Sequence, residues 1–305
     1  MDQVKRIPKF TKEVKKHFAD WICMPVVLKH FRDGPAVYFD EYLNNKDDEA
    51  YVATRCDQAH TWHLSQYAHT LYSQGRYVWD EFALAARYAH AHVKFEEAFV
   101  VARGNGSVLL PTAVFFFSLN VLCGWRAEAG SVGQAIYNGL DTALLDLRHT
   151  DQHMKGTLYR HFWFLLHLYC EMRGLKLDTS LYSYPEDMAP YAAVLADWRT
   201  TDQAKLQTLV ADMCDFHLLH ARTGGHGDVL EFDTEDRMLF PFEILCWLRL
   251  REWAGIANPD SFAHPLMQQP MAAMPGPEPL PQPDTPLLDA VVAKFKTEFP
   301  GSFES

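Results

Sequence analysis

Apolar residues recur along most of this chain at steps of three and four, the spacing of one face of an α-helix, while the alternation expected of strands is nearly absent. The pattern predicts an all-α fold. Near the amino end, Val4, Ile7, Phe10, Val14, Phe18, Trp21 and Ile22 share one face, with Pro8 limiting where that helix can begin. A packing face is one reading of this amphipathic arm; a membrane-surface or nucleic-acid arm is the other, and no basic run longer than two residues favours it. Tyr88, His92, Phe95, Phe99 and Ala102 mark a helix from about Trp79 to Arg103, closed by Gly104-Asn105-Gly106. A second begins near Leu109, with Pro111 in its first turn. From Phe115-Phe116-Phe117 to Leu122 its apolar residues surround the cylinder, which predicts a central helix wrapped by others.

Further helices are expected over Val132 to Leu147, Leu158 to Met172, Tyr191 to Trp198, Gln203 to His220 and Pro241 to Trp253. The total is about eight to ten, arranged as an irregular bundle of antiparallel helical hairpins without a fixed repeat period. Nine of the seventeen prolines fall between Pro259 and Pro286, an extended polyproline-like strap. Beyond it, Leu287, Leu288, Val291, Val292 and Phe295 form a terminal amphipathic helix. The expected organisation is a helical domain over 1–258, a Pro-rich strap over 259–286, and a carboxy-terminal helix over 287–305 docked on the body, with a flexible tail as the alternative.

At 305 residues, 48% of them hydrophobic, the chain can bury a large core, which excludes global disorder. Its net charge of −11 argues against nucleic acid or an anionic membrane as partner and favours a basic one. The charge is uneven: residues 1–32 carry +5 and the remainder −16. Six cysteines without any CxxC pair read as buried reduced thiols. The first twenty residues hold no apolar core of a signal peptide, so a cytoplasmic location is expected. The uncharged run from Gly104 to Trp125 is densely apolar only from Val108 to Leu119, too short to span a bilayer.

The common catalytic and cofactor motifs are missing. There is no HExxH, GxxxxGK[ST] or EF-hand loop. Ala129-Gly130-Ser131-Val132-Gly133 is the nearest approach to a nucleophile elbow and reads as a loop, as does Gly225-His226-Gly227. No cofactor is assigned. Fifteen histidines need weighing. His60 and His63 follow Asp57, and Asp146, His149 and His153 stand at i, i+3, i+7, so each set can put imidazole and carboxylate on one helical face. If that helix continues, Arg160, His167 and Glu171 extend the row. A solvated face, a metal site on Asp146, His149 and His153, and an anion or substrate groove remain open, the last two implying a helical enzyme. His217 and His220 sit among Leu206, Leu209, Val210, Met213 and Phe216 and read as core or half-buried histidines donating to backbone carbonyls.

One segment stands apart, Thr223 to Asp236. Three glycines let it project, and Asp228, Glu231, Asp233, Glu235 and Asp236 place five acids within nine residues. Val229, Leu230 and Phe232 lie between them as candidate exposed anchors. The segment suits docking onto a basic cleft; the alternative is an acidic connection in which Asp233 or Thr234 caps the next helix.

The run from Phe240-Pro241-Phe242-Glu243 through Leu248-Arg249-Leu250-Arg251-Glu252-Trp253, followed by Asn258-Pro259, His264-Pro265-Leu266-Met267 and the strap, resembles the carboxy-terminal part of helical immunity proteins that accompany interbacterial toxins of type VI secretion. Leu122-Cys123-Gly124-Trp125-Arg126-Ala127-Glu128-Ala129 is similar to helical hairpins of the same class. The resemblance covers about a quarter of the chain. It implies a non-enzymatic, cytoplasmic protein that binds one cognate toxin effector, often a nuclease, and occludes its basic active-site cleft. The residues expected to dock are Asp228, Val229, Glu231, Phe232, Asp233, Glu235 and Asp236.

Overall fold

The computed structural model describes residues 3–145, 159–222 and 230–303. It is all-helical, and there is no β-strand among the described residues. The helices are α1 (Ile7–Trp21), α2 (Pro25–Val27), α3 (Gly34–Leu43), α4 (Val52–Gln74), α5 (Trp79–Arg103), α6 (Leu110–Leu122), α7 (Arg126–Gly139), α8 (Arg160–Arg173), α9 (Tyr191–Ala196), α10 (Gln203–His220), α11 (Phe242–Trp253) and α12 (Pro286–Glu298). A π-helical turn, Leu28–Asp33, joins α2 to α3. Pro35 follows it and has no N–H to give the carbonyl four residues back, so the regular ladder is interrupted there.

The amino-terminal arm packs. Ile7, Phe10, Val14 and Phe18 of α1 are buried in the main core, while Lys9, Lys12, Lys15 and Lys16 face solvent. The long pair α4 and α5 forms a helical hairpin turned at Gly75, whose φ of 65° is open to glycine without a Cβ penalty. The α6 helix is central: every residue from Ala113 to Leu122 is buried, and α5, α7, α8 and α11 pack around it. Burying a helix on all sides removes most of its apolar area from water, at roughly 25 cal/mol per Å².

A second, smaller core lies at one end. There α12 inserts Leu288, Val291 and Phe295 against Tyr38, Phe39, Tyr42, Phe95 and Phe99. Phe295 meets Phe95 edge-on at 5.0 Å between ring centroids. Polar contacts fix the same helix: Lys294 donates to the Tyr42 carbonyl, and the Tyr42 hydroxyl donates to Glu298.

The proline-rich strap is tied to the body through its carbonyls, since its prolines have no N–H to offer. Buried Arg249 donates to the carbonyls of Pro275 (2.6 Å) and Gly276 (3.0 Å), and the Trp125 indole donates to Leu280 O at 2.7 Å. Leu280 N–H returns a bond to Cys123 O at 2.9 Å. Gly124 permits this approach, with φ of 80° and the position of a Cβ only 2.8 Å from Pro279 Cα.

Several expectations are corrected. The helix expected over Val132 to Leu147 runs instead from Arg126 to Gly139, because Ala127, Glu128 and Ala129 are strong helix formers. Ala129 to Gly133 is therefore helix and not loop. Apolar spacing does not mark α4 clearly, since beside Leu64, Tyr67, Leu71 and Tyr72 it buries His60, Ser65 and several small residues. Of the six free cysteines, five are buried and Cys23 is exposed.

Substituting Gly124 by Ala is expected to lower stability by about 1–3 kcal/mol, through overpacking against Pro279 and the forced left-handed backbone. A urea titration of both proteins checks this; an unchanged midpoint contradicts the account of the strap.

Candidate functional site

Of the residues expected to dock, Asp228 and Val229 lie outside the described residues. Glu231 and Phe232 correct the expectation of exposure: their side chains are 8% and 0% exposed, and Leu230 is buried as well. They are the root of the segment. Asp233 is exposed, Glu235 and Asp236 are half-buried, and these three acids form its outer edge.

The root is held by two histidine–carboxylate pairs. His161 Nδ1 lies 2.7 Å from Glu231 Oε2, and the His161 backbone N–H donates to the same oxygen at 3.0 Å. His161 is the second residue of α8, whose own N-cap Tyr159 supplies no side-chain bond. Glu231 therefore caps α8 from a distant segment and sets its negative charge at the positive end of the helix dipole. On the other side, His217 Nδ1 is 2.9 Å from Glu243 Oε1, and His217 Nε2 donates to Arg237 O at 3.0 Å. Phe232 lies between, stacked on His217 at 3.9 Å and 5.0 Å from the His161 ring. Its N–H bonds the His220 carbonyl at 3.3 Å.

Burial alone would push the Glu231 carboxyl up, but hydrogen bonds and charge from His161 outweigh it and hold it below the ordinary value. The His220 imidazole is shifted down by burial, with Glu231 opposing. The Tyr191 hydroxyl beside the cluster is pushed well up, by burial first and then by Glu243 and Glu231.

Beyond Phe232 the chain turns, with the Arg237 and Met238 N–H groups bonding Thr234 O at 2.9 and 3.0 Å. Neither Asp233 nor Thr234 caps the next helix, which begins at Phe242. The Arg237 guanidinium carbon sits 4.6 Å from the Phe115 ring centroid, so the turn is clamped to the central helix.

Spacing along the sequence did not reveal what lies beside the acidic edge. Glu235 Oε1 is 3.5 Å from His17 Nδ1 on α1. One turn on, half-buried Trp21 packs edge-on against Phe31 of the π-helical turn at 5.2 Å and lies 6.4 Å from Trp62 of α4. These three rings make an aromatic ledge whose members come from three elements. Past the ledge, Met24 and Val26 are 43% and 58% exposed. A groove of about 530 Å³ follows the π-helical turn, lined by Leu28, Lys29, His30, Val37, Tyr38 and Arg55 among others.

The histidine sets do not assemble into a metal centre among the described residues. Asp146, His149 and His153 lie outside them. Arg160 donates to Ala189 O at 2.7 Å, and His167 Nε2 meets the Tyr184 hydroxyl at 3.1 Å. His60 bonds Ala85 O at 3.0 Å, and His63 pairs with Glu81 at 2.7 Å. No described helix is long and apolar enough to cross a membrane. No family model matches the chain, and no curated protein or solved structure does.

The folded-state Glu231 carboxyl titrates below its unfolded value. Its contribution to stability is therefore fully present above the ordinary pKa of 4.5 and lost as the pH falls through the lower folded-state value. Thermal melts of the wild type across this range are expected to show that loss, and Glu231→Gln to flatten it. Glu231→Ala, which leaves His161 buried without its partner, is expected to cost about 3–5 kcal/mol at neutral pH. A wild-type acid profile retained in Glu231→Gln contradicts the assignment.

Proposed function

We propose that this chain is an immunity-type protein that binds and neutralises a cognate antibacterial toxin effector with a basic surface, of which a nuclease cleft is the foremost example. The observation that carries the proposal is the acidic edge of Asp233, Glu235 and Asp236, whose Glu235 meets His17 one helical turn from Trp21 in the aromatic ledge of Trp21, Phe31 and Trp62. Tight protein interfaces are centred on aromatic anchors that lose their water, with charged groups at the rim. The Glu235–His17 contact brings the two kinds of group next to one another.

Charge segregation supports the same reading. Lysines 9, 12, 15 and 16 occupy the solvent face of α1, while Glu235 of the acidic edge meets His17 on its flank. A basic partner is drawn to the flank and repelled from the lysine face, which orients the encounter before contact. The nuclease reading follows from chemistry: a cleft that holds phosphates is basic, and carboxylates compete for it. The resemblance of Phe240 to Met267 and the strap to immunity proteins agrees with this function and contributes the toxin context.

The experiment is capture of the partner by tagged chain from the source cell, followed by mass spectrometry. A stoichiometric basic protein with a toxin domain is expected. The triple variant Asp233→Lys, Glu235→Lys, Asp236→Lys is expected to weaken that complex at least about a hundredfold, chiefly by slower association at low salt, with an unchanged thermal midpoint. Recovery of a toxin that the triple variant binds equally well would sink the acidic edge as the docking element, and recovery of no toxin would sink the immunity reading.

A further inference from the structure

At the carboxy-terminal end of α8, away from the His161–Glu231 pair at its start, a cavity of about 220 Å³ opens between α6, α7, α8 and α11. Its interior is aromatic: Phe117 and Tyr169 are buried and Trp253 is half-buried. Arg126 and Arg173 line it as well, both exposed to solvent, and no acidic residue is among those that line it. The Arg126 guanidinium carbon sits 4.8 Å from the Trp253 ring centroid. In a chain of net charge −11, two guanidinium groups flanking an aromatic cavity form a local positive site.

The cavity is preformed. Tyr169 is fixed by its hydroxyl, within 3.2 Å of Gly130 O and 3.1 Å of Gln134 Oε1. Its ring lies so close to α7 that a Cβ on Gly133 would fall 2.3 Å from Tyr169 Cε2. Burial pushes the Tyr169 hydroxyl up while Arg173 works against that rise, as a cation beside it must. By contrast, Gly130 lines the cavity and a Cβ there meets nothing within 4 Å.

We infer that this cavity is a binding site for a small organic carboxylate carrying a single aromatic or branched apolar group, the ring stacking among Phe117, Tyr169 and Trp253 and the carboxylate meeting Arg126 and Arg173. The volume is below that of sites for drug-sized molecules and suits one ring. A planar guanidinium offers a carboxylate paired, charge-assisted hydrogen bonds that an alcohol or amine cannot accept in the same way. The site lies apart from the acidic edge and does not depend on the toxin-binding reading.

Isothermal titration of the full chain with 3-phenylpropionate, 3-phenylpropanol and 3-phenylpropylamine tests the inference. The carboxylate is expected to bind at least about tenfold more tightly than the alcohol, and the alcohol more tightly than the amine. Gly130→Leu fills the cavity from a position with room for the side chain, so it is expected to abolish binding while keeping the thermal midpoint at or above the wild-type value. Arg126→Gln with Arg173→Gln is expected to erase the preference for the carboxylate. Equal affinity for the three probes, absence of carboxylate binding at its highest soluble concentration, or binding that survives Gly130→Leu overturns the inference.

Discussion

Phe232 and the two histidine–carboxylate pairs around it form the constraint on which the rest of the site depends. Burying ionisable groups is costly unless each finds an opposite charge or a hydrogen bond. Here His161, Glu231, His217 and Glu243 come from α8, the connecting segment, α10 and α11, so their pairing can be satisfied only when all four elements are in place. The Glu231 carboxylate also serves the orphan N–H of His161. One side chain thereby closes a helix end, pairs with a buried imidazole and fixes the level at which the chain leaves the core.

The consequence reaches the surface within a residue. Asp233 follows directly on a side chain that is wholly buried, so the acids beyond it stand on a fixed base. A preorganised charged edge loses little conformational entropy on binding, which leaves more of its interaction free energy for affinity. The π-helical turn Leu28–Asp33 plays a comparable part for the ledge, since it carries Phe31 to the face where Trp21 and Trp62 lie. Irregular turns of this kind are frequent at functional sites.

Much of the helical frame was legible in the sequence. Helix α5 occupies Trp79–Arg103 as its apolar row and the Gly104 stop indicate, and α10 begins at Gln203 behind Asp202, whose carboxylate accepts the Ala204 and Lys205 N–H groups. These features are local, and local rules read them. The candidate site was only partly legible. The acids at 233, 235 and 236 announce themselves by density, whereas the burial of Glu231 depends on a histidine 70 residues earlier. His217 was recognisable as a core histidine bonded to a carbonyl, but its second partner, Glu243, belongs to another helix. The aromatic ledge is drawn from residues 21, 31 and 62, and no periodicity connects them. The two-arginine cavity is likewise a product of packing, since Arg126 and Arg173 belong to helices brought together by Gly133 and Tyr169.

We propose that the edge from Asp233 to Asp236 and the ledge of Trp21, Phe31 and Trp62 form one face that meets a basic partner. Hydrogen exchange of the chain, free and with its captured partner, tests it most directly. Slow exchange is expected at Phe232, Arg237 and Met238 in the free chain, with new protection on binding confined to peptides around 17–33, 58–64 and 231–238. Rapid exchange of Phe232 in the free chain, or protection on binding that falls elsewhere and spares these peptides, would contradict it.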